Sequence, residues 1–316
     1  MAAPGLSLYK TVMQQISRNM GPAEWTMLLV LSVIWGGSFF FFAIAVKALP
    51  TFTIVLLRVG LGTLALWGLL LILGVAIPRD PLIWRNFLIM GLINNAIPFS
   101  LIVWGQKELA PGLAAILNAT TPFFTVLVAN ALTRDEKISW MRLAGAVAGL
   151  TGAAMMMGYD IAAQFGGSLA AQLAVIGAAV SYAFASVFGR RFGTLPPLLT
   201  ATGQTTGSSL ILLPLALLVD RPWNLPMPGT DIWLAVAGLA FLCTSLAYVL
   251  FFTILKRSGA TKIVLVTFLV PVSAILLGAA FLNERLGPQH AFGMLAIGLG
   301  LALIDGRAFR RFQTSP

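Results

Sequence analysis

Charged residues are scarce in this sequence. Asp, Glu, Lys and Arg make up 9 % of its 316 residues, whereas about 25 % is usual for a soluble domain. Apolar residues reach 59 %, and the mean hydropathy is +0.93. So few charges cannot cover a water-facing surface of this size. The composition excludes a soluble, disordered, coiled-coil or collagen-like chain and favours one that is surrounded by lipid.

Cysteine and histidine are nearly absent. Cys243 and His290 are the single residues of their types, so the chain has no internal disulfide, no cysteine-cluster zinc site and no Cys–His catalytic pair. A Walker loop is missing too, and the Gly-x-Gly runs lie inside apolar stretches without a strand–helix context. We therefore expect no metal, no cofactor and no enzymatic activity.

Long apolar runs fill the rest of the chain. About 20 apolar residues in a helix cross the roughly 30 Å of hydrocarbon in a bilayer. Ten charge-free stretches meet this requirement: 25–46, 59–78, 86–106, 109–133, 143–159, 161–189, 192–219, 232–255, 263–283 and 286–304. The second reaches back to residue 51 if Arg58 lies within the membrane. Since lipid offers no hydrogen-bond partners to the backbone, we predict an all-α integral membrane protein with ten transmembrane helices.

The basic residues predict the orientation of these helices. With the N-terminus in the cytoplasm, fifteen Lys and Arg side chains fall in cytoplasmic segments and four on the opposite side. Cytoplasmic loops of membrane proteins carry such an excess. Both terminal segments, 1–23 and 307–316, are therefore predicted to be cytoplasmic. The net charge of +10 then reflects topology and attraction to anionic lipid, and no nucleic-acid partner is expected.

The two halves of the chain resemble each other. Residues 110–123 match 259–272 at an offset of 149, and the same offset places Asn94 and Asn95 opposite Cys243 and Thr244. Five helices per half is an odd number, so the second half enters the membrane from the opposite side. We predict two inverted five-helix repeats, 24–158 and 159–306. This architecture is typical of carriers that work by alternating access, and it favours a transporter over a membrane enzyme or a scaffold.

Several short segments have a familiar pattern. They are the run WGGSF at 35–39, Arg58, Pro122 with Glu136, Pro271 with the run ERL at 284–286, and the run YA at 182–183 before GRR at 189–191. From 25 to 307 the chain resembles the drug/metabolite transporter superfamily, in its ten-helix EamA-type branch, and is most similar to bacterial amino-acid exporters of the YddG kind.

The resemblance implies a fold, a place and an activity. The fold would be a basket of ten helices around a central cavity in the bacterial inner membrane. The activity would be export of small metabolites, amino acids first, with aromatic and hydrophobic ones included. Efflux of drugs, nucleosides or other metabolites is the alternative within the same superfamily. The expected partners are a small-molecule substrate and the bilayer, with a monomer favoured.

Arg58 is the only charged residue that lies clearly inside a predicted span. A charge in the bilayer centre is costly, so such a residue is a functional candidate. It could be the counter-charge for a substrate carboxylate, or it could extend outward to the headgroups or bond a carbonyl of a broken helix. All Asp and Glu residues lie at span ends or in loops. Their absence from span centres favours either transport down a substrate gradient without proton coupling or coupling through a group that the sequence does not reveal.

Polar and aromatic side chains in mid-span are the candidates for the cavity wall. A buried polar group needs a partner, so each either bonds a neighbouring helix or faces a wet cavity. The amides Asn94, Asn95 and Asn118 are the strongest, because an amide both donates and accepts. The other polar candidates are Ser38, Thr121, Tyr182, Ser186, Gln204, Thr244, Ser245, Tyr248 and Thr267. The aromatic candidates, which could equally be packed or lipid-facing, are Trp35, Phe39, Phe99 and Phe252.

Three prolines fall inside predicted spans. Each removes a backbone hydrogen bond and favours a kink, so Pro98, Pro122 and Pro271 are hinge candidates. Pro122 and Pro271 are related by the repeat.

Overall fold

The computed structural model describes residues 21–132, 140–156, 168–258, 266–282 and 287–305. These residues form helices and connecting segments, and none of them lies in a strand. The helices are α1 (Pro22–Ala45), α2 (Thr51–Ile72), α3 (Pro81–Gly105), α4 (Pro111–Leu132), α5 (Trp140–Met156), α6 (Ser168–Phe188), α7 (Pro197–Asp220), α8 (Thr230–Ala237, continuing through Gly238–Leu246 to Ala247–Ser258), α9 (Val266–Leu282) and α10 (Pro288–Asp305).

Seven of these helices, α1 to α4 and α6 to α8, are long and apolar enough to cross a membrane. The protein is therefore an all-helical, multi-pass membrane protein. The other three have 17 or 18 residues, and residues outside the described part of the chain adjoin each of them. Membrane crossing by all ten stays a prediction.

Prolines in the first turn and one capping side chain determine where several helices begin, a few residues from the predicted limits. Proline occupies the first turn of α1, α3, α4 and α7, where its missing N–H costs nothing. Asp80 caps α3 by accepting a hydrogen bond from the Leu82 amide at 2.8 Å. α2 begins at Thr51, so Arg58 lies inside the helix.

α7 ends in a π-helical stretch at Ala216–Asp220, and two other helices contain such stretches at places that the repeat relates. In α3 the stretch is Leu92–Ala96, and in α8 it is Gly238–Leu246, which includes the residues 149 positions further along. Such stretches are frequent at functional sites. Pro98 is buried directly after the first one and cannot donate a backbone hydrogen bond. The Ser181 hydroxyl of α6 donates to the Ile93 carbonyl at 2.6 Å and so satisfies a carbonyl of this irregular turn.

α4 is interrupted in its middle. Its two α-helical parts are Pro111–Asn118 and Thr121–Leu132, with a turn between them. Pro122 has no N–H to offer the Asn118 carbonyl, and the Thr121 hydroxyl donates to that carbonyl instead, at 2.6 Å. α9 runs through the corresponding residues 268–269 without a break. The side chain of Pro271 lies outside the described residues.

Helix packing follows the same pattern in both halves. α1 packs on α8 and α9, and the corresponding helix of the second half, α6, packs on α3 and α4. In the same way, α3 packs on α7, and its counterpart α8 packs on α2. α2 and α7 run antiparallel, because the Thr63 hydroxyl lies 3.4 Å from that of Ser209 and the Trp67 indole N–H donates to the Thr206 hydroxyl at 3.0 Å. α5 and α10 are packed closely through glycines and are also antiparallel.

The largest hydrophobic core lies at one end of the bundle. We call the end where α1 begins the near end, and the end where α1 finishes and α2 begins the far end. The far-end core includes Phe42, Leu49, Ile54, Val103 and Leu109, each at most 5 % exposed. Apolar packing therefore closes the far end.

Candidate functional site: a central cavity

A cavity of about 500 Å³ lies between the two halves of the bundle. Its wall is formed by residues of α1 to α4 and α6 to α9, together with the short turn after α6. Phe42, Arg58 and Ile102 are buried at its far end, whereas Ser186, toward the near end, is exposed. The cavity therefore opens toward the near end.

Most of the residues predicted for the wall lie on it. The structure brings thirteen of them together around the cavity: Trp35, Ser38, Phe39, Arg58, Asn94, Phe99, Asn118, Thr121, Tyr182, Ser186, Gln204, Thr244 and Tyr248. The hinge candidate Pro122 also lines the cavity, whereas Pro98 does not. The side chains of Phe252 and Thr267 lie outside the described residues.

Asn95 and Ser245 differ from the prediction, since neither lines the cavity. Neighbouring positions on a helix point about 100° apart, so Asn94 faces the cavity while Asn95 turns behind the wall, where it is fully buried. Ser245 turns toward α2, and its hydroxyl donates to the Gly62 carbonyl at 3.1 Å. Both serve as hydrogen-bonding contacts between helices.

Other residues of the wall were not predicted. These are Phe42, Met90, Ile102, Ala115, Ala119, Ala185, Gly189, Phe192, Thr200, Cys243, Phe251 and Val270. Some could have been found from helical spacing, because side chains three or four positions apart share a helix face. Phe42 follows Ser38 by four residues, and Phe251 follows Tyr248 by three. The apolar wall residues carry no signal that separates them from lipid-facing ones.

Arg58 is buried in the wall and is 5 % exposed. Its Nε donates to the Thr244 hydroxyl of α8 at 3.3 Å. The guanidinium carbon lies 3.9 Å from the centre of the Phe99 ring and 4.9 Å from that of Phe42, within the range of cation–π attraction. The side chain therefore does not extend outward to the headgroups, and that alternative is wrong.

The guanidinium keeps most of its hydrogen-bonding capacity. It has five N–H donors, and among the described residues only the Thr244 hydroxyl accepts from it. No carboxylate of the described residues forms an ion pair with Arg58. A buried charge without an opposite charge is costly, and aromatic faces offset only part of that cost. The arrangement suits a ligand that brings an anionic group into the cavity.

Amides and hydroxyls on three helices form a hydrogen-bonded chain beside Arg58. The Asn94 amide donates to Gln204 Oε1 at 2.9 Å, and the Gln204 amide donates to the Tyr248 hydroxyl at 3.1 Å. Tyr248 in turn donates to Asn95 Oδ1 at 3.4 Å. These bonds link α3, α7 and α8 and fix the polar side of the wall. Among the described residues, no group of three or more His, Cys, Asp or Glu side chains could hold a metal ion.

The sequence matches a known family across both halves. A model of the EamA-like transporter family matches residues 23–158 and again residues 169–305. Apolar helices that surround a cavity, together with this family match, identify a membrane transporter. The chain belongs to the EamA-like transporter family.

Individual relatives are distant but extend over most of the chain. Protein PecM of Dickeya dadantii is 27 % identical over 75 % of this chain and 79 % of its own length. The uncharacterized inner membrane transporter YedA of Escherichia coli is 26 % identical over 88 % and 89 %. A probable amino-acid metabolite efflux pump of Escherichia coli is 25 % identical over 89 % and 94 %. One crystal structure shares the fold, with a TM-score of 0.69, 22 % identity, and 94 % and 100 % of the two chains covered.

Proposed function

We propose that the protein exports small amphiphilic metabolites, amino acids foremost, across a bacterial inner membrane. Aromatic and hydrophobic amino acids are included. Membership of the EamA-like family supports transport. The pattern of short segments that resembles the YddG kind of exporter is the reason for placing amino acids first. One relative is named an amino-acid metabolite efflux pump and another an inner membrane transporter, which supports the substrate and the location.

The observation that carries the proposal is the unpaired guanidinium of Arg58. It lines the cavity, it is buried, and four of its N–H donors have no acceptor among the described residues. A substrate carboxylate would supply the missing opposite charge and could accept two of these bonds in parallel. An uncharged drug would leave the charge unpaired. The proposal therefore favours carboxylate-bearing metabolites over neutral ones.

The rest of the wall suits an apolar side chain. The Trp35 and Phe251 rings lie 5.7 Å apart between α1 and α8, and Phe39 and Val270 line the cavity as well. A site with one charged anchor and a mostly apolar, aromatic wall is typical of small-molecule pockets. Such a site binds the head group of an amino acid at Arg58 and accepts a hydrophobic side chain.

Alternating access between inverted five-helix repeats is the proposed mechanism, with the repeats at 24–158 and 159–306. The double family match, the antiparallel pairs α2–α7 and α5–α10, and the shared packing pattern support this arrangement. The predicted topology puts the open near end in the cytoplasm, where an exporter meets its substrate. No Asp or Glu is among the described residues that line the cavity, which supports transport without proton coupling.

Counterflow in proteoliposomes tests the proposal. Vesicles loaded with unlabelled amino acid should accumulate the same labelled amino acid transiently, with no pH gradient and no ATP. A panel of amino acids, nucleosides and cationic drugs separates the alternatives. Counterflow of nucleosides or drugs with none of any amino acid would overturn the substrate class, and a strict requirement for a pH gradient would overturn the uncoupled mechanism.

A further inference from the structure

We propose that the Tyr182 hydroxyl and the Arg58 guanidinium together clamp the substrate carboxylate. This inference rests on the proposed function, because it assumes a substrate with a carboxylate. The two side chains come from different halves of the chain, Arg58 from α2 and Tyr182 from α6. The clamp would therefore join both halves through the ligand.

Phe99 of α3 supports both members of the clamp. Its ring lies under the guanidinium, with 3.9 Å from the ring centre to the guanidinium carbon. The same ring meets the Tyr182 ring nearly edge-on, with centres 6.5 Å apart and planes at 67°. Arg58, Phe99 and Tyr182 all line the cavity. The Phe99 ring therefore contacts both Arg58 and Tyr182 and holds their side chains next to each other on the cavity wall.

The Tyr182 hydroxyl has no hydrogen-bond partner among the described residues. Tyr182 is half-buried and lines the open cavity, so a ligand in the cavity can reach this hydroxyl. Tyr248, the other tyrosine of the wall, shows the contrast, because its hydroxyl accepts from Gln204 and donates to Asn95. The protein therefore occupies the Tyr248 hydroxyl, whereas that of Tyr182 stays available to a ligand.

The chemistry of the two donors is complementary. A carboxylate accepts about four hydrogen bonds, and one guanidinium edge supplies two of them. The phenol O–H can donate to a remaining lone pair, and hydrogen bonds to a charged acceptor are the strong ones. A carboxamide, which is uncharged and has a single oxygen, gains much less from both donors. The clamp predicts selection for a free carboxylate over the corresponding amide.

The test compares Tyr182→Phe with Tyr248→Phe in the purified full-length protein. Counterflow of labelled phenylalanine, or of the amino acid that the wild type transports best, is measured with that amino acid and its carboxamide as competitors. Loss of a hydrogen bond to a charged group should raise the KM of Y182F for the amino acid about tenfold or more. Competition by the amide should change much less, so the preference for carboxylate over amide falls severalfold.

The control variant and a stability measurement separate binding from structure. Y248F removes a hydroxyl that the protein itself uses, so it should lower the melting temperature and, because it breaks the amide chain, the transport rate. The preference for the carboxylate over the amide should stay that of the wild type. Y182F should melt no lower than the wild type. A Y182F protein that misfolds, or that keeps the full preference for the carboxylate, would overturn the clamp. Absence of amino-acid counterflow in the wild type would instead overturn the proposed function.

Discussion

The contact between α3 and α7 positions the amide side of the cavity, and a single methyl group should disrupt it. A Cβ added at Gly91 of α3 would overlap the Gln204 carbonyl oxygen of α7 and lie 2.5 Å from the Ser208 amide nitrogen. Ordinary contact begins at 3.4 Å, so Gly91→Ala must separate the two helices by about 0.9 Å. The Asn94–Gln204 hydrogen bond, now 2.9 Å, would lengthen to about 3.8 Å, beyond hydrogen-bonding distance.

A glycine-to-alanine change at a position without close neighbours serves as the control for this clash. Gly68 of α2 has no atom within 4 Å of its added Cβ, so Gly68→Ala gains only the helix preference of alanine, about 1 kcal/mol. Gly91→Ala gains the same amount but must also displace backbone, which no rotamer change can relieve, at a cost near the upper end of about 1–3 kcal/mol. The two variants should therefore differ by about 3 kcal/mol in the free energy of unfolding.

Thermal unfolding in detergent and counterflow together measure the effect. A difference of this size should place the melting temperature of G91A about 6 °C or more below that of G68A. G91A should also transport poorly because the amide chain is broken, while G68A transports normally. Equal melting temperatures and equal turnover for the two variants would refute the close packing of α3 and α7 as the support of the site.

Two further predictions concern the charge and the opening of the cavity. Replacing Arg58 by Met removes an unpaired buried charge, so the variant should melt higher than the wild type yet lose amino-acid counterflow about a hundredfold; normal transport by this variant would contradict the role of the guanidinium. In a Cys243→Ser background, Ser186→Cys at the near end should react rapidly with a small polar thiol reagent, and substrate should slow the reaction. Ser38→Cys, deeper and 6 % exposed, should react far more slowly. Equal rates for the two would contradict a cavity that opens at the near end.

Much of the fold could be predicted because lipid imposes simple requirements. Apolar runs of about 20 residues predict the spans. For the seven long helices, the predicted and observed limits differ mainly at the helix ends. Arg58 shows where this reasoning stops. Its charge interrupted the second apolar run, and the sequence could not show that Phe42, Phe99 and Thr244 surround it. Those contacts come from three other helices. They depend on how each helix is rotated about its axis and how deep it lies in the membrane.

The irregular helix turns were beyond sequence reasoning for a different reason. A π-helical turn shifts hydrogen bonds from one carbonyl to the next, and no pattern of apolar residues records that shift. Asn94 and Asn95 looked equivalent in the sequence, yet one faces the cavity and the other is buried behind it. Pro98 was a visible sign of irregularity, but the bond from Ser181 of α6 to the Ile93 carbonyl depends on tertiary packing.

The two halves differ at the position of the repeated proline. α4 is interrupted at Ala119 and Thr120, just before Pro122, whereas α9 passes through the corresponding position although Pro271 stands there. A proline inside a helix costs about 3 kcal/mol, so it weakens the continuous helix relative to an interrupted one at both positions. Under the proposed inverted arrangement, exchanging these two conformations would close the near end and open the far end. We expect the repeated proline, Pro122 in one half and Pro271 in the other, to act as the hinge in both conformations of the proposed cycle.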